Sequence, residues 1–172
     1  AKDAIVDKFR EVVRERPNVK TQDPDIRINI HIYKNTCTVS LDSSGNSLHQ
    51  RGYRILTNIA PINEVLAAGL LLKSGWDGQT DFFDPMCGSG TFLIEAAMIA
   101  CNIPANINRE SYAFMHWNDY DAELYDKIVD ASLKKVREFH HKIIGYDKAP
   151  SAVRKAQENV DHANLSDYIT IE

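Results

Sequence analysis

The sequence predicts an α/β protein holding the first half of a doubly wound, Rossmann-like parallel sheet, about three strands, after a smaller α+β unit. Two observations support this prediction. From residue 80 to residue 172, short apolar strands alternate with helical patterns in the order strand, glycine turn, helix, strand, helix, strand. Upstream, a helical pattern is followed by isoleucines that alternate with polar residues over 26–32.

The N-terminal unit is predicted to be one helix and one β-hairpin. Residues 4–16 have helical spacing of their apolar positions, and Pro17 ends the pattern. Two alternating runs follow, on either side of a Lys34-Asn35 turn, which is typical of a hairpin with one buried face. The alternating apolar residues are Ile26, Ile28, Ile30 and Ile32, then Cys37, Val39 and Leu41. Two strands are marginally stable in water, so we expect partners upstream of residue 1.

A polar, glycine-punctuated segment then separates the two units. Residues 43–54, "SSGNSLHQRGYR", lack apolar periodicity and indicate a domain boundary. We therefore predict an N-terminal unit at 1–46, a connector at 47–60 and the parallel-sheet domain at 61–172.

The first part of this domain is predicted to be helix, strand and helix. Pro61 stands where a helix can begin, and Gly75 ends it. Residues 80–84 are predicted to be a short buried strand, and 91–101 a buried helix because it is apolar nearly all round. The first helix is expected to face inward with Ile62, Val65, Leu66, Gly69 and Leu70.

The second part contains a loop, two helices and two strands. Residues 102–119 lack periodicity and are predicted to be a loop, and 121–140 a long amphipathic helix. "KIIGYD" is a strand ending in Asp147, 150–163 a crossover helix, and "DYITIE" a third strand. The inward residues of the long helix are expected to be Leu124, Ile128, Val129, Val136 and Phe139. Doubly wound sheets commonly have more strands, so we expect the chain to be a fragment of a longer protein.

Composition excludes several classes of protein. The apolar run at 65–72 is far shorter than the roughly 20 residues of a membrane span, and no signal peptide opens the chain. Cys37, Cys87 and Cys101 form no C-x-x-C pair, which argues against disulfides or zinc and favours the cytoplasm. Residues 1–60 carry 10 Lys and Arg against 7 Asp and Glu, whereas 61–172 carry 10 against 17. This asymmetry fits either ordinary solvated surfaces or a basic recognition unit before an acidic catalytic one.

The turn in "FFDPMCGSGTFLIEAA" (82–97) indicates a ligand site. A phosphate-binding P-loop needs a lysine, but Thr91 and Phe92 follow Gly90. A dinucleotide site needs a third glycine where Leu93 stands, and an acid about 20 residues on. S-adenosylmethionine carries a sulfonium and no phosphate, so acids at the strand ends suit it.

Each part of the turn has a role toward such a ligand. Asp84 can face the methionine end and Asp147 can accept from the ribose hydroxyls. Gly88 and Gly90 allow close backbone approach, and helix amides can meet the carboxylate of the ligand.

Several segments together resemble a known family. "DPMCGSGTFLIEAAMIA" (84–100) is similar to the first motif of the THUMP-associated RNA methyltransferases, in particular the bacterial large-subunit ribosomal RNA guanine-N2 methyltransferases. "GYDKAPSAVRKAQENV" (145–160) resembles their second motif. The segments 47–54, 60–76 and 102–117 are similar to the exit from the THUMP module, the helix before the first strand and the family insertion.

The resemblance implies a cytoplasmic class I methyltransferase that acts on guanine N2 of 23S ribosomal RNA with S-adenosylmethionine, guided by a THUMP module and without metal or membrane. It places Asp147 and Lys148 on the ribose side, with Pro61 near the cofactor. On the methionine side it places Asp84, Pro85, Cys87, Gly88, Ser89, Gly90 and Thr91. The family's acceptor motif, Asn/Asp-Pro-Pro-aromatic, is absent from these residues, so we expect no methyl transfer by them alone.

Other interpretations stay open. The chain could be a non-catalytic RNA-binding module or, less consistently with the turn, a nicotinamide-dependent oxidoreductase. Cys87 is interpreted as a small loop residue rather than a nucleophile. Glu95 is unexpected within an apolar helix, and Arg51 and Arg54 could contact either RNA phosphates or a domain interface.

Overall fold

The computed structural model describes residues 2–20, 24–57 and 60–172, so positions 58 and 59 of the predicted connector lie outside the described residues. Five helices and five strands occur within those ranges. The helices are α1 (Lys2–Val13), α2 (Glu64–Ser74), α3 (Thr91–Ala100), α4 (Ala122–Leu133) and α5 (Pro150–His162), and the strands are β1 (Arg27–Tyr33), β2 (Thr36–Asp42), β3 (Phe82–Asp84), β4 (Ile143–Gly145) and β5 (Ile169–Ile171).

The N-terminal unit contains the predicted hairpin. β1 and β2 pair antiparallel from Arg27↔Asp42 to Tyr33↔Thr36, which leaves Lys34 and Asn35 as the two-residue turn. Lys34 has a φ of 52°, as such turns require. The expectation of one buried face is wrong, because every residue of β1 and all but the last of β2 are exposed. Among the described residues, α1 and β1 flank an open apolar cleft, and one short helix cannot cover the hairpin.

The second unit contains the three parallel strands that the sequence predicts, although β3, expected to be buried, has no buried residue and Phe83 is exposed. β4 lies between β3 and β5, and the carboxyl-terminal residue of β3, Asp84, pairs with Gly145 of β4. The helix that follows β3, α3, is buried at eight of its ten positions and packs against all three strands. Because the strands are parallel, the loops after β3 and β4 emerge at the same edge of the sheet.

Helix α2 begins later than predicted and turns a different face inward. Its first residue is Glu64, three positions after Pro61, with Asn63 as the N-cap. Gly75 ends the helix with a left-handed φ of 79°. Ala67 and Leu71 are buried, whereas the face predicted to be inward is exposed. Apolar residues surround this helix on all sides, so their spacing could not identify the packed face. The predicted inward residues that are exposed are Val65, Leu66, Gly69 and Leu70, and Ile62 is half-buried.

Helix α4 is shorter than the predicted helix 121–140 and buries none of its residues. The chain leaves the helix after Leu133, since Arg137 makes tertiary hydrogen bonds instead. Its backbone N–H donates to Cys101 O at 2.9 Å and its Nε donates to Ala100 O at 2.8 Å. Phe139 is buried as predicted, but in a non-helical segment, while Leu124, Ile128 and Val136 are exposed. The predicted loop 102–119 contains one 3₁₀ turn, Ala113–His116.

A buried ion pair explains the unexpected acid in α3. The Glu95 side chain is 2% exposed, and its Oε1 lies 2.8 Å from Nε of Arg51, which is 8% exposed. The Tyr53 hydroxyl donates to the same oxygen at 2.9 Å. Residues 51 and 53 are thereby attached to α3. Arg51 is therefore a buried structural residue that neutralises Glu95.

Candidate functional site

The glycine turn connects β3 to α3 at the carboxyl edge of the parallel sheet. Gly88 and Gly90 adopt left-handed φ values of 58° and 83°, which residues with a Cβ rarely adopt. The Gly90 N–H donates to Cys87 O at 2.8 Å and closes the turn. A Cβ at Gly90 would also lie 3.4 Å from the Cβ of Ala156, so α5 packs directly against the turn.

The two strand-end acids meet at this turn. Asp147 Oδ2 accepts from the Gly88 N–H at 3.0 Å, and Asp84 Oδ1 accepts from the Met86 N–H at 3.1 Å. Burial raises the pKa of Asp84, and the neighbouring Asp147 carboxylate raises it further, against the lowering effect of the Met86 amide. The structure therefore brings two acids, about 60 residues apart in the sequence, to one turn at one edge of the sheet.

The remaining residues proposed from the sequence lie at different depths. Ser89, Thr91 and Cys87 are buried, whereas Pro85 and Lys148 are exposed. Pro61 is also exposed, and its link to the turn is indirect. The next carbonyl, Ile62 O, accepts from Arg54 Nη2 at 2.8 Å, and the same nitrogen donates to Thr91 Oγ1 at 2.7 Å.

Sequence reasoning did not identify Asn159, which is fully buried and supports the turn. Its Nδ2 donates to Ser89 O at 3.0 Å and to Leu56 O at 2.8 Å. Its Oδ1 accepts from the N–H groups of Ile55 and Leu56, both at 3.0 Å. The available signal was its position on the buried face of α5, three residues after Ala156, where an amide without partners would be costly.

The N-terminus of α3 supplies amides toward the same edge. Its N-cap is Gly90, which has no side chain, and the first intrahelical bond shown runs from the Ile94 N–H to Gly90 O. First-turn amides of a helix attract carboxylates and other anions. The edge thus offers anion-binding amides next to two carboxylates, which suits a zwitterionic ligand with an additional positive charge.

The Cys87 side chain lies in the hydrophobic core. Its N–H donates to Tyr146 O at 2.8 Å, and its side chain is 6% exposed. Burial, together with Asp84 and Asp147, raises the pKa of the Cys87 thiol to about 11. A raised pKa disfavours the thiolate, which is the nucleophilic form.

We expect Cys87 to resist alkylation at pH 8 under native conditions, because little thiolate forms and the side chain is buried. Mass spectrometry after limited iodoacetamide treatment should show exposed Cys37 modified at least about tenfold faster. A Cys87→Ser variant should then label as the native protein does. Preferential modification of Cys87 would contradict this assignment.

Two further findings concern alternative classes of protein. No helix in the described ranges is long and apolar enough to cross a membrane. In those same ranges, no group of three or more His, Cys, Asp or Glu side chains is arranged to hold a metal ion.

Comparison with protein families gives two matches along the chain. Residues 51–172 match the RMKL-like methyltransferase domain, and residues 1–42 match the THUMP domain. A curated relative, the ribosomal RNA large subunit methyltransferase K/L of Desulfotalea psychrophila, is 40% identical over 99% of this chain. The chain spans 25% of that relative's length.

Two solved structures are similar over 99% of the chain and 45% of their own lengths. One is SMU.472, which is described as a methyltransferase and was crystallised in complex with SAH. It is 35% identical to this chain, with a TM-score of 0.85. The other, from Listeria monocytogenes, is described as a predicted N6-adenine-specific DNA methylase; it is 33% identical with a TM-score of 0.89.

Proposed function

The chain belongs to the family of RMKL-like methyltransferase domains, and we propose that it binds S-adenosylmethionine at the turn 85–90 as the donor site of an RNA methyltransferase. The observation that carries this proposal is the attachment of both strand-end carboxylates to the same glycine turn. Bound there, the cofactor would supply an electrophilic methyl group on a sulfonium. The SAH complex of SMU.472 supports this ligand class.

Asp147 would hold the ribose. Its Oδ1 and Oδ2 each accept one backbone hydrogen bond, from Ala149 and from Gly88. A carboxylate has about four acceptor positions, so two remain for a pair of hydroxyl donors. The backbone bonds also keep the carboxylate in one orientation, and neighbouring Lys148 would contribute on the same side.

The methionine end would lie over the turn itself. Asp84 would attract the positive charges, while the amides of Ser89 and Thr91, on either side of Gly90, would approach the carboxylate. Pro85 and Cys87 would form the wall of the turn, and the backbone of Gly88 would approach the ligand most closely. Pro61 is proposed to lie near the same ligand.

The acceptor is proposed to be guanine N2 in 23S ribosomal RNA, in the cytoplasm, with the THUMP-matching residues 1–42 helping to bind the RNA. The K/L relative supports ribosomal RNA, and the guanine assignment follows from the motif resemblance. We further propose that residues 1–172 hold the donor side and transfer no methyl group alone. Assays of the full-length protein with ribosomal RNA and with adenine-containing DNA would distinguish the acceptors suggested by the two kinds of relative.

Replacing Asp147 tests the cofactor site. We expect Asp147→Ala to weaken binding of SAH by about tenfold or more, since the ribose loses its acceptor and the Gly88 amide loses its partner. Isothermal titration calorimetry on the full-length protein measures this change. Asp130→Ala, which removes an exposed carboxylate on α4, is the matched control and should bind normally. No SAH binding by the unmodified protein would leave the RNA-binding module as the better assignment.

Binding of S-adenosylmethionine should also depend on pH through Asp84. The raised pKa of this group means that it takes up a proton at a higher pH than an ordinary aspartate. Since only the ionised carboxylate attracts the cationic cofactor, affinity should fall as the pH decreases through this raised pKa. Titrations between about pH 4 and pH 8 measure the dependence. Asp84→Asn should bind more weakly at neutral pH with a flatter profile, and an unchanged profile would exclude Asp84 as the titrating group.

A further inference from the structure

Residues 51–57, here called the strap, have no regular secondary structure but are attached by side chains to three helices. Arg51 and Tyr53 contact Glu95 of α3. A Cβ at Gly52, whose φ is 91°, would collide with the Asn108 carbonyl, so the strap is also covered by the segment after α3. The strap therefore lies between the helices and the segment after α3, with Arg51 and Tyr53 buried while Gly52, Ile55 and Thr57 are exposed.

Two of the strap's attachments continue directly to the glycine turn. Arg54 Nη2 donates to Thr91 Oγ1, and Arg54 Nη1 lies 3.5 Å from Oε1 of Glu64, whose side chain is 5% exposed. Asn159 joins Ile55 and Leu56 of the strap to Ser89 of the turn. The same side chains thus hold the strap and the proposed cofactor loop.

The bonding of Asn159 makes these two segments interdependent. Its oxygen accepts two hydrogen bonds and its nitrogen donates two, which satisfies the amide completely. If the strap detached, three of these four bonds would be lost within a fully buried environment. The orientation of the amide toward Ser89 O would then lose its support, and an unsatisfied buried amide is costly.

We propose that the strap is a positioning element of the cofactor site, with Arg54 and Asn159 as positioning residues that couple strap docking to cofactor affinity. This inference rests on the proposed function. By thermodynamic reciprocity, cofactor binding stabilises the docked strap to the same extent that the docked strap stabilises bound cofactor. Upstream of the strap, Arg109 donates to the carbonyls of Ser44, Asn46 and Ser47, which joins residues 44–47 to the segment that covers Gly52.

The test combines hydrogen exchange with calorimetry on the full-length protein, using SAH as the probe. The N–H groups of Ile55 and Leu56 bond to Asn159 and so exchange only when the strap opens. We expect SAH to slow their exchange by about tenfold while leaving exposed amides of α4 unchanged. This measurement needs no substitution and therefore does not depend on a variant that folds.

Asn159→Asp keeps the acceptor for the strap amides but removes both donors, including the one to Ser89. We expect about tenfold weaker SAH binding and a smaller effect of SAH on the strap amides. Asn118→Asp, an identical change at an exposed position, is the control. SAH binding without altered strap exchange would overturn the inference alone. No SAH binding to the unmodified protein would overturn the proposed function, and this inference with it.

Discussion

Replacing Glu95 by alanine is expected to lower the free energy of unfolding by about 3–5 kcal/mol, because the variant leaves Arg51 as a buried cation without its counter-charge. The Tyr53 hydroxyl would lose its acceptor at the same time. Both partners come from the strap, so its first half should detach from α3. Urea denaturation followed by circular dichroism measures the change.

Two comparisons identify the ion pair as the cause. Glu123→Ala removes an acid whose side chain is 89% exposed and should alter stability by no more than about 0.5 kcal/mol. The double variant Arg51→Met with Glu95→Leu should be more stable than Glu95→Ala, since replacing both charges with apolar side chains removes the uncompensated ion. A double variant that is no more stable than Glu95→Ala would contradict this explanation.

Local chemistry was sufficient to predict several elements. The two-residue turn at Lys34-Asn35 set the hairpin register. Pro150 occupies the first helical position of α5, where its missing N–H costs nothing. The glycine turn was recognisable because its backbone conformation is one that residues other than glycine rarely adopt. In each case the determining residues lie within a few positions of the structure that they specify.

The errors arise where distant residues decide the structure. The apolar pattern continued past Leu133, but Arg137 bonds to carbonyls at the end of α3, 36 and 37 residues earlier in the chain. In α2, the apolar surface on all sides gave no preferred face. Packing of the helix against α3 decided it, and Ala67 and Leu71 are the apolar residues that are buried. Only tertiary packing contains this information.

Part of the candidate site was beyond sequence reasoning for the same reason. Asp84 and Asp147 could be selected because each ends a predicted strand, and parallel strands end at one edge. Asn159 could not, because its partners Ile55, Leu56 and Ser89 are 104, 103 and 70 residues away. A polar residue on a buried helix face signals that a partner exists without identifying it.

Gly145→Ala is expected to destabilise the protein by about 1–3 kcal/mol and to weaken SAH binding, because β4 approaches the glycine turn without room for a methyl group. An added Cβ would collide with Leu93 Cδ1 and would lie 3.1 Å from both Cβ and Sγ of Cys87. Leu93 is fully buried, so its side chain has little space to move away. Cys87 belongs to the turn, and displacing it would shift the proposed binding backbone. Thermal denaturation with calorimetric titration measures both effects.

The same substitution at Gly69 separates crowding from the loss of glycine itself. Nothing lies within 4 Å of a Cβ at Gly69, which is inside α2, so Gly69→Ala should stabilise the protein by about 0.5–1 kcal/mol. Leu93→Ala alone should cost about 2–5 kcal/mol through the cavity that it leaves. Combined with Gly145→Ala, it frees the space that the new methyl group needs, so the double variant should be less destabilised than the sum. Strict additivity would mean that Leu93 does not limit the space at Gly145, and that contact with Cys87 accounts for the cost.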